Sequence, residues 1–283
     1  MSFKIKFKSI LNQITLTDVN AFAFSGGEVH TRLDLSDVNC LNVEYINIEA
    51  KLKSSNNIME LLMITDTLKR NFNHTPINLI MPYLPYARQD KISADGESIS
   101  LKVFADLINS QNYYTVTSFD VHSDVAHSLF NNFKNMEQHD IIIQSVVGDW
   151  LEKGNVTLVS PDFGASKKIY KLASHYNLEV VQANKARDSK GQIIKTEVYK
   201  DDFEGKDVLI VDDICDGGRT FQELVKVIQE RNVGKISLYI THGIFSKGIQ
   251  CLYDSGIDEI ITTESFLDNF DFVDDERLIV IPF

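Results

Sequence analysis

The chain has 283 residues, of which 43% are hydrophobic and 24% are charged, and its formal net charge at pH 7 is −12. The length suits two domains, since one domain takes roughly 100 to 200 residues. The acidic balance argues against a nucleic-acid partner, because such a surface needs clustered Lys and Arg to neutralise phosphates. No apolar run approaches the roughly 18 residues of a membrane helix, so we expect no membrane partner and a cytoplasmic location.

The first part of the chain alternates strand-like pieces with a helical pattern. Strand-like pieces cover Phe3–Ser9, Ala21–Phe24 and Val43–Ile48. The motif F-S-G-G-E-V-H, from Phe24 to His30, contains paired glycines that indicate a tight turn. Apolar residues at helical spacing then predict a helix over Asn57–Asn71.

A buried-strand run, I-N-L-I-M, follows Pro76 and leads into P-Y-L-P-Y-A-R-Q-D-K, Pro82 to Lys91. Tyrosines beside an arginine suit a nucleotide base and its phosphates, although an exposed loop packed by its own aromatic rings explains the pattern almost as well. The next segment, Ile92–Ser98, has small polar residues and suits either a mobile lid or a plain surface loop.

The strand Tyr114–Phe119 delivers Asp120 and His122 at its C-terminal end. In open α/β sheets that end of a strand is where ligands bind. The pattern D-x-H there favours a structural role and a ligand-binding role about equally.

A second series begins with a predicted helix over Ile141–Lys153. The strand Val156–Ser160 then ends in P-D-F-G-A-S-K-K, which places Asp162 at the start of a helix. The next strand ends in N-K-A-R, and alternation along an extended chain puts Lys185 and Arg187 on one side. Both cations then face one anion, unless they are simply solvated charges.

The motif V-L-I-V-D-D-I-C-D-G-G-R-T, Val208 to Thr220, predicts a strand, a small-residue loop and a helix. Such a loop presents backbone N–H groups and a helix dipole to a phosphate. The motif matches neither a Walker loop nor a dinucleotide fingerprint. The carboxylates of Asp212 and Asp213 suit the hydroxyls of a sugar attached to that phosphate. A capping box formed by Thr220 and Glu223 is the alternative.

The repeated alternation of strand and helix predicts an α/β fold with two mostly parallel sheets, each flanked by helices. The candidate groups suggest phosphoryl or pyrophosphoryl transfer, which depends on positioning, Mg²⁺ and cations more than on covalent chemistry. His122 and Asp162 are candidates to hold or orient Mg²⁺, and Lys185 and Arg187 to stabilise the transferred group.

Together these motifs resemble the ribose-phosphate pyrophosphokinase family, the phosphoribosyl pyrophosphate synthetases. The resemblance covers nearly the whole chain, and its motifs are F-S-G-G-E at Phe24, M-E-L-L at Met59, P-Y-L-P-Y-A-R-Q-D-K at Pro82, F-D-V-H at Phe119, V-S-P-D-F-G at Val159, K-A-R at Lys185, V-D-D-I-C-D-G-G-R-T at Val211 and T-H-G at Thr241.

The resemblance implies two phosphoribosyltransferase-like α/β domains, an ATP-binding domain over residues 1–140 and a ribose-5-phosphate-binding domain over residues 141–274. It also implies that residues 275–283 fold back to complete the first domain. The implied reaction transfers the β,γ-diphosphate of Mg-ATP to the C1 hydroxyl of ribose 5-phosphate and leaves AMP. The implied assembly is a homo-oligomer, either a dimer or a hexamer.

The resemblance also implies a role for each motif residue. The ATP-binding residues would be Phe24, Glu28, Arg88, Gln89 and Asp90, with Phe24 and Glu28 reaching the adenine of a neighbouring subunit. The metal residues would be His122 and Asp162, and the catalytic residues Lys185 and Arg187. The ribose-5-phosphate residues would be Asp212, Asp213, Asp216, Gly217, Gly218, Arg219 and Thr220.

The chain departs from the usual family pattern at three places. Gly26 replaces an aspartate, Ile92–Ser98 has no basic residue, and Arg219 stands where a small residue is usual. Two other functions stay open on the sequence, namely a non-catalytic regulatory homologue that binds nucleotides and a phosphoribosyltransferase that acts on a base.

Overall fold

The computed structural model describes residues 2–9, 13–16, 19–38, 42–187, 193–267 and 275–283, and only the backbone of residues 186, 187 and 193–195. The chain divides into two compact units, Met1–Met136 and Glu137–Phe283. Among the helices of the described residues, none combines the length and the apolar character that crossing a membrane requires.

The first unit contains a six-stranded sheet, a separate hairpin and helices. Its strands are β1 (Phe3–Lys8), β2 (Gln13–Leu16), β3 (Asn20–Ala23), β4 (Val29–Arg32), β5 (Tyr45–Ala50), β6 (Ile77–Met81), β7 (Thr115–Phe119) and β8 (Phe133–Met136). Its helices are α1 (Ser55–Asn71), α2 (Ser100–Asn109) and α3 (Ala126–Leu129).

The sheet of the first unit has the strand order β2-β1-β5-β6-β7-β8. The strands β5 to β8 pair in parallel, whereas β1 is antiparallel to both of its neighbours. The strands β3 and β4 form an antiparallel hairpin outside this sheet. Parallel neighbours end at the same edge, so the loops after β6 and β7 emerge side by side.

Helix α1 shows how the local sequence determines where a helix begins and which face it buries. It begins earlier than the pattern predicts, because the hydroxyl of Ser54 accepts a hydrogen bond from the backbone N–H of Asn57 at 3.2 Å. Its buried face includes Leu61, Ile64 and Leu68, each fully buried. Burying each such side chain contributes about 1.5–3 kcal/mol to folding.

The second unit is built on a seven-stranded sheet. Its strands are β9 (Val156–Ser160), β10 (Val180–Arg187), β11 (Ile193–Val198), β12 (Asp207–Cys215), β13 (Ile236–Gly243), β14 (Glu259–Thr263) and β15 (Leu278–Ile281). Its helices are α4 (Gln138–Ile143), α5 (Val146–Leu151), α6 (Phe163–Tyr176), α7 (Arg219–Gln229) and α8 (Gln250–Tyr253).

The sheet of the second unit has the strand order β11-β10-β9-β12-β13-β14-β15, and only β11 pairs antiparallel. Successive residues of β12 contribute to hydrophobic clusters on opposite faces, with Val208 and Ile210 in one and Leu209 and Val211 in the other. Helices cover both faces, as parallel sheets require. The predicted fold class, two α/β units with mostly parallel sheets flanked by helices, is confirmed.

Two expectations about the second unit need correction. The helix predicted over Ile141–Lys153 is two short helices, α4 and α5, because the hydroxyl of Ser145 accepts a hydrogen bond from the N–H of Val147 and begins α5. The last strand, β15, pairs in parallel with β14 and extends the second sheet. Residues 278–281 therefore do not complete the first unit, since their backbone hydrogen bonds are made in the second.

Candidate active site

Strand β12 carries the acidic pair at its C-terminal end. The sequence predicts that the strand stops at Val211, but the strand continues through Asp212 and Asp213 to Cys215. It pairs in register with β13 as far as Cys215, which lies opposite Gly243. Because side chains alternate along a strand, the two carboxylates point to opposite faces of the sheet.

Asp212 lies in a crowded acidic environment. Burial raises the pKa of its carboxyl well above the usual range, and the negative charges of Asp213 and Asp162 raise it further. The N–H of Asp213 donates to Oδ1 of Asp212 at 3.0 Å, and the amide of Gln138 donates to the Asp212 carbonyl at 2.9 Å. Hydroxyl donors or a cation from a ligand would relieve the remaining repulsion.

Asp213 is held by a lysine that the sequence reasoning missed. The ammonium of Lys168, on α6, lies 3.6 Å from Oδ2 of Asp213, and the Asp213 side chain is 11% exposed. The only sequence signal for this contact is the K-K pair that follows Asp162 by more than one helical turn. Nothing in the local pattern links α6 to the end of β12.

Asp162 and Lys185 form an ion pair between neighbouring strand ends. Asp162 caps helix α6 by accepting from the N–H of Ala165 at 3.2 Å, and its Oδ2 lies 2.7 Å from Nζ of Lys185. Burial would raise the pKa of the Asp162 carboxyl, but the hydrogen bond and charge of Lys185, together with the backbone N–H groups, lower it. The carboxylate is therefore ionised and oriented.

The sheet order explains how these groups come together. Strand β9 lies between β10 and β12, so Asp162, which follows β9, has Lys185 on one neighbouring strand and Asp212 on the other. Strand β10 extends to Arg187, so Lys185 lies on the strand and not past its end. The side chain of Arg187 lies outside the described part of the chain, and its shared face with Lys185 stays a prediction.

The loop after β12 is the candidate phosphate loop, Asp216–Thr220. Gly218 is the N-cap of α7 and has φ +76°, a left-handed conformation that favours glycine. A Cβ at Gly218 would lie 2.8 Å from Cδ2 of Leu252, so the packing also requires glycine. The N-terminus of α7 thus directs uncapped backbone N–H groups and a positive dipole end at this loop.

The alternative interpretation of this loop as a capping box is wrong. Thr220 is the second residue of α7 and not its N-cap, and the Glu223 carboxylate lies 3.0 Å from the ammonium of Lys226. Arg219 is the first helical residue and its side chain is exposed. Thr220 and Glu223 therefore do not cap the N-terminus of α7.

The T-H-G motif forms a buried polar network at the end of β13. The Thr241 carbonyl accepts from the hydroxyls of Thr263 at 2.6 Å and Ser265 at 2.9 Å, and Nδ1 of His242 lies 2.8 Å from the same Ser265 hydroxyl. All four residues are at most 1% exposed. This network fixes the strand end beside β12, which gives the motif a supporting role.

In the first unit, the loops after β6 and β7 are joined by a hydrogen bond. The Ser123 hydroxyl donates to Oδ2 of Asp90 at 2.6 Å. Arg88, Gln89 and His122 are exposed on these two loops. The structure therefore brings the R-Q-D and D-V-H motifs together at one edge of the first sheet.

The hairpin of β3 and β4 presents Phe24 and Glu28 to solvent. The Phe24 ring is 53% exposed and lies 5.0 Å from the ring of Phe22, centroid to centroid. A Cβ at Gly26 would lie 2.7 Å from Oε2 of Glu28. The Glu28 carboxylate therefore occupies the space next to position 26, where the family usually has an aspartate.

The segment Ile92–Ser98 folds back on its own carboxylate. Oε2 of Glu97 accepts from the backbone N–H groups of Ser93 at 2.9 Å and Ala94 at 3.1 Å. Residues 91–98 are exposed throughout. This segment thus closes on an acidic side chain and contains no cation of its own.

The candidate metal residues lie in different units, His122 in the first and Asp162 in the second. Within the described residues there is no group of three or more His, Cys, Asp or Glu placed to hold a metal ion. Mg²⁺ usually takes only one or two carboxylates and completes its shell with water and substrate phosphates, so the ionised Asp162 fits such an ion.

The two α/β units and the strand–loop–helix segment after an acidic pair, the candidate anion site, define a protein of the phosphoribosyltransferase fold class. Residues 6–111 match the N-terminal domain of ribose phosphate pyrophosphokinase, and residues 129–278 match the phosphoribosyl transferase domain. The chain belongs to the ribose-phosphate pyrophosphokinase family, which confirms the predicted resemblance.

Individual relatives agree with this assignment. The ribose-phosphate pyrophosphokinase of Mycoplasmopsis pulmonis is 33% identical over 268 residues, covering 92% of this chain and 79% of the relative. That of Corynebacterium efficiens is 28% identical over 258 residues, covering 89% and 78%. The crystal structure of phosphoribosylpyrophosphate synthetase from Mycobacterium smegmatis is 25% identical, with a TM-score of 0.78 over 94% of this chain and 86% of that one.

Proposed function

We propose that the protein is a ribose-phosphate diphosphokinase that uses Mg-ATP and ribose 5-phosphate to make phosphoribosyl pyrophosphate and AMP. The observation that carries this proposal is the pairing of Lys185 with Asp162 beside the acidic pair of β12 and its phosphate loop. In this proposal a cation, a sugar site and an anion site share one edge of the second sheet. Membership of the family supports the same reaction.

The second unit binds the sugar phosphate in this proposal. Asp212 and Asp213 accept hydrogen bonds from the ribose hydroxyls, and loop Asp216–Thr220 binds the 5-phosphate through backbone N–H groups. Lys168 holds the Asp213 side chain in place through its ion pair. This arrangement explains two carboxylates directly before a phosphate site, because they bind the sugar and not its phosphate.

The transfer step joins the C1 oxygen of the sugar to the β-phosphorus of ATP. The C1 hydroxyl gives up its proton to solvent water, the new O–P bond forms, and the bond from that phosphorus to the α,β-bridging oxygen breaks, which leaves AMP. Lys185 and Arg187 stabilise the charge that builds up on the transferred diphosphate. Asp162 orients Lys185 through their ion pair.

The first unit binds ATP in this proposal. Arg88, Gln89 and Asp90 contact the nucleotide, and Ser123 holds Asp90 in position. The exposed ring of Phe24 stacks on the adenine of a neighbouring subunit, with Glu28 beside it, so the active form is a homo-oligomer. The cytoplasm is the proposed location.

Mg²⁺ is the proposed cofactor; Asp162 would hold it in the second unit and His122 in the first, each directly or through bound water. Both oxygens of Asp162 already have partners, Lys185 and the N–H of Ala165, which favours contact through water. When bound, the ion would neutralise part of the negative charge of the ATP phosphates.

One assay tests the proposal against its alternatives. The purified chain is incubated with ATP, Mg²⁺ and ribose 5-phosphate, and the nucleotide product is identified. AMP with equimolar phosphoribosyl pyrophosphate is the expected result. ADP would indicate a simple kinase, and no turnover would favour a regulatory homologue. Turnover only when a nucleobase and phosphoribosyl pyrophosphate are supplied would indicate a phosphoribosyltransferase.

A further inference from the structure

The turn after β13, Ile244–Gly248, lies against the phosphate loop and carries an exposed lysine, Lys247. We infer that Lys247 is a further binding residue for the 5-phosphate of the sugar substrate and raises the preference for phosphorylated over unphosphorylated sugars. The inference rests on the proposed function of loop Asp216–Thr220 as the phosphate site. None of the family motifs recognised in the sequence includes Lys247.

Backbone hydrogen bonds attach this turn to the start of the loop. The N–H groups of Ile244 and Phe245 both donate to the Cys215 carbonyl, at 2.9 and 3.1 Å, and the N–H of Ser246 donates to the Asp216 carbonyl at 3.1 Å. The turn is therefore in register with the residues that begin the phosphate loop. A movement of one would move the other.

Phe245 makes the turn rigid. Its φ is +47°, which is unusual for a residue with a side chain, and it is only 6% exposed. Such a conformation is strained and persists when the surrounding packing determines it. Here the ring lies against Gly243, where any Cβ would collide with it. The N–H of Gly248 closes the turn by donating to the Phe245 carbonyl at 2.8 Å.

The rigid turn places the side chain of Lys247 over Gly217. A Cβ built at Gly217 lies 3.6 Å from Cε and 3.7 Å from Cδ of Lys247, which is ordinary van der Waals contact. The aliphatic stem thus packs on the loop backbone, and the ammonium extends one bond beyond it. Lysines commonly pack in this way, with the stem on the protein and the charge in water.

The charge of Lys247 is available for a ligand. Among the described residues, the structure gives its ammonium neither an ion pair nor a hydrogen bond, whereas the ammonium groups of Lys185 and Lys168 lie beside carboxylates. Asp216 is the nearest acidic residue in the loop sequence, and its charge would repel a phosphate. A cation whose stem packs on the same loop would offset that repulsion and add a charge-assisted hydrogen bond to the phosphate.

The test is calorimetric titration of ribose 5-phosphate, and separately of ribose, into the full chain and its variants. We expect Lys247→Ala to weaken ribose 5-phosphate binding about tenfold, as one charged hydrogen bond in a partly solvated site would. Lys247→Arg should keep most of the affinity for ribose 5-phosphate. The difference in affinity between Lys247→Ala and the unmodified chain should become smaller as the NaCl concentration is raised. In turnover, Lys247→Ala raises the KM for ribose 5-phosphate by more than it lowers kcat.

The matched control is Lys226→Ala, which removes an exposed lysine of α7 that lies 3.0 Å from Glu223. This variant is expected to bind ribose 5-phosphate with the affinity of the unmodified chain. Equal affinity of Lys247→Ala and the unmodified chain for ribose 5-phosphate would overturn the inference, and so would an equal loss for ribose. Binding with the expected loss but without diphosphate transfer would support the inference and reject the proposed reaction. No binding of ribose 5-phosphate by the unmodified chain would reject both.

Discussion

The ammonium of Lys185 lies 2.7 Å from Oδ2 of Asp162, although the two residues come from neighbouring strand ends with helix α6 between them in the chain. The ion pair is mostly shielded from water, with 16% of the Lys185 side chain exposed. A cation fixed in this way needs little reorganisation when charge develops on a substrate.

We therefore expect Lys185→Ala to lower kcat by about a hundredfold or more, the usual effect of losing one donor to a transition state. Binding of ATP, measured by titration, should change far less, because the charge matters most in the transition state. Lys171→Ala, which removes another paired lysine, 2.8 Å from Glu137, is the matched control. Equal losses in turnover and ATP binding would remove Lys185 from the catalytic role.

The contact between Lys168 and Asp213 predicts that loss of Lys168 weakens the binding of ribose 5-phosphate only slightly. Lys168→Ala should raise the KM for ribose 5-phosphate about twofold to fivefold, since a partly exposed ion pair contributes about 0.5–1 kcal/mol. Asp213→Asn should raise it more. The KM of the double variant for ribose 5-phosphate should be no higher than that of Asp213→Asn alone, because Lys168 acts through that carboxylate. Additive effects of the two changes would show that Lys168 acts elsewhere.

The two glycines of the phosphate loop predict different costs of an added methyl group. Gly218→Ala should lower the free energy of unfolding by about 1–3 kcal/mol, because it forces a left-handed backbone and a contact of 2.8 Å with Leu252. Gly217→Ala meets only the stem of Lys247 at 3.6 Å and should cost less than about 0.5 kcal/mol. Urea denaturation of both variants gives the comparison. Similar destabilisation of the two would contradict this account of the loop.

Because the ring of Phe24 is exposed, we expect its removal to raise the KM for ATP without lowering the stability of the fold. Phe24→Ala should raise the KM for ATP about tenfold, within the range for loss of aromatic stacking on a base. Its thermal stability should stay close to that of the unmodified chain, because the ring is 53% exposed. Tyr114→Ala, which removes an aromatic side chain that is 66% exposed, serves as the control.

The proposed origin of Phe24 from a neighbouring subunit can be tested by mixing. The Phe24→Ala and Lys185→Ala chains are each expected to have low diphosphotransferase activity. The first lacks the adenine contact, and the second lacks the cation that stabilises the transferred group. Mixed oligomers would contain some sites with both residues intact and would regain part of the activity. No recovery in mixtures shown to have exchanged subunits would place Phe24 in the site of its own chain.

The strand–loop–helix motifs could be predicted from sequence because their signals are local. The apolar run Val208–Val211, the glycines after it and the helical pattern beyond them are contiguous, and so are the strand and helix start around Asp162. The local sequence pattern also placed Lys185 near the end of a strand, although β10 continues past it to Arg187. The local pattern did not determine where each element ends. Strand β12 continues past Val211 because β13 continues to pair with it.

Only the tertiary structure decided which of these local pieces meet. The pairing of β9 with both β10 and β12 sets Asp162 between Lys185 and Asp212, and no spacing in the sequence records that strand order. The same holds for Lys168 beside Asp213 and for Lys247 over Gly217. The last strand, β15, likewise joined the second sheet through its pairing with β14. Local pattern determines an element from its own residues, whereas hydrogen bonds and packing between distant segments determine which neighbour that element finds.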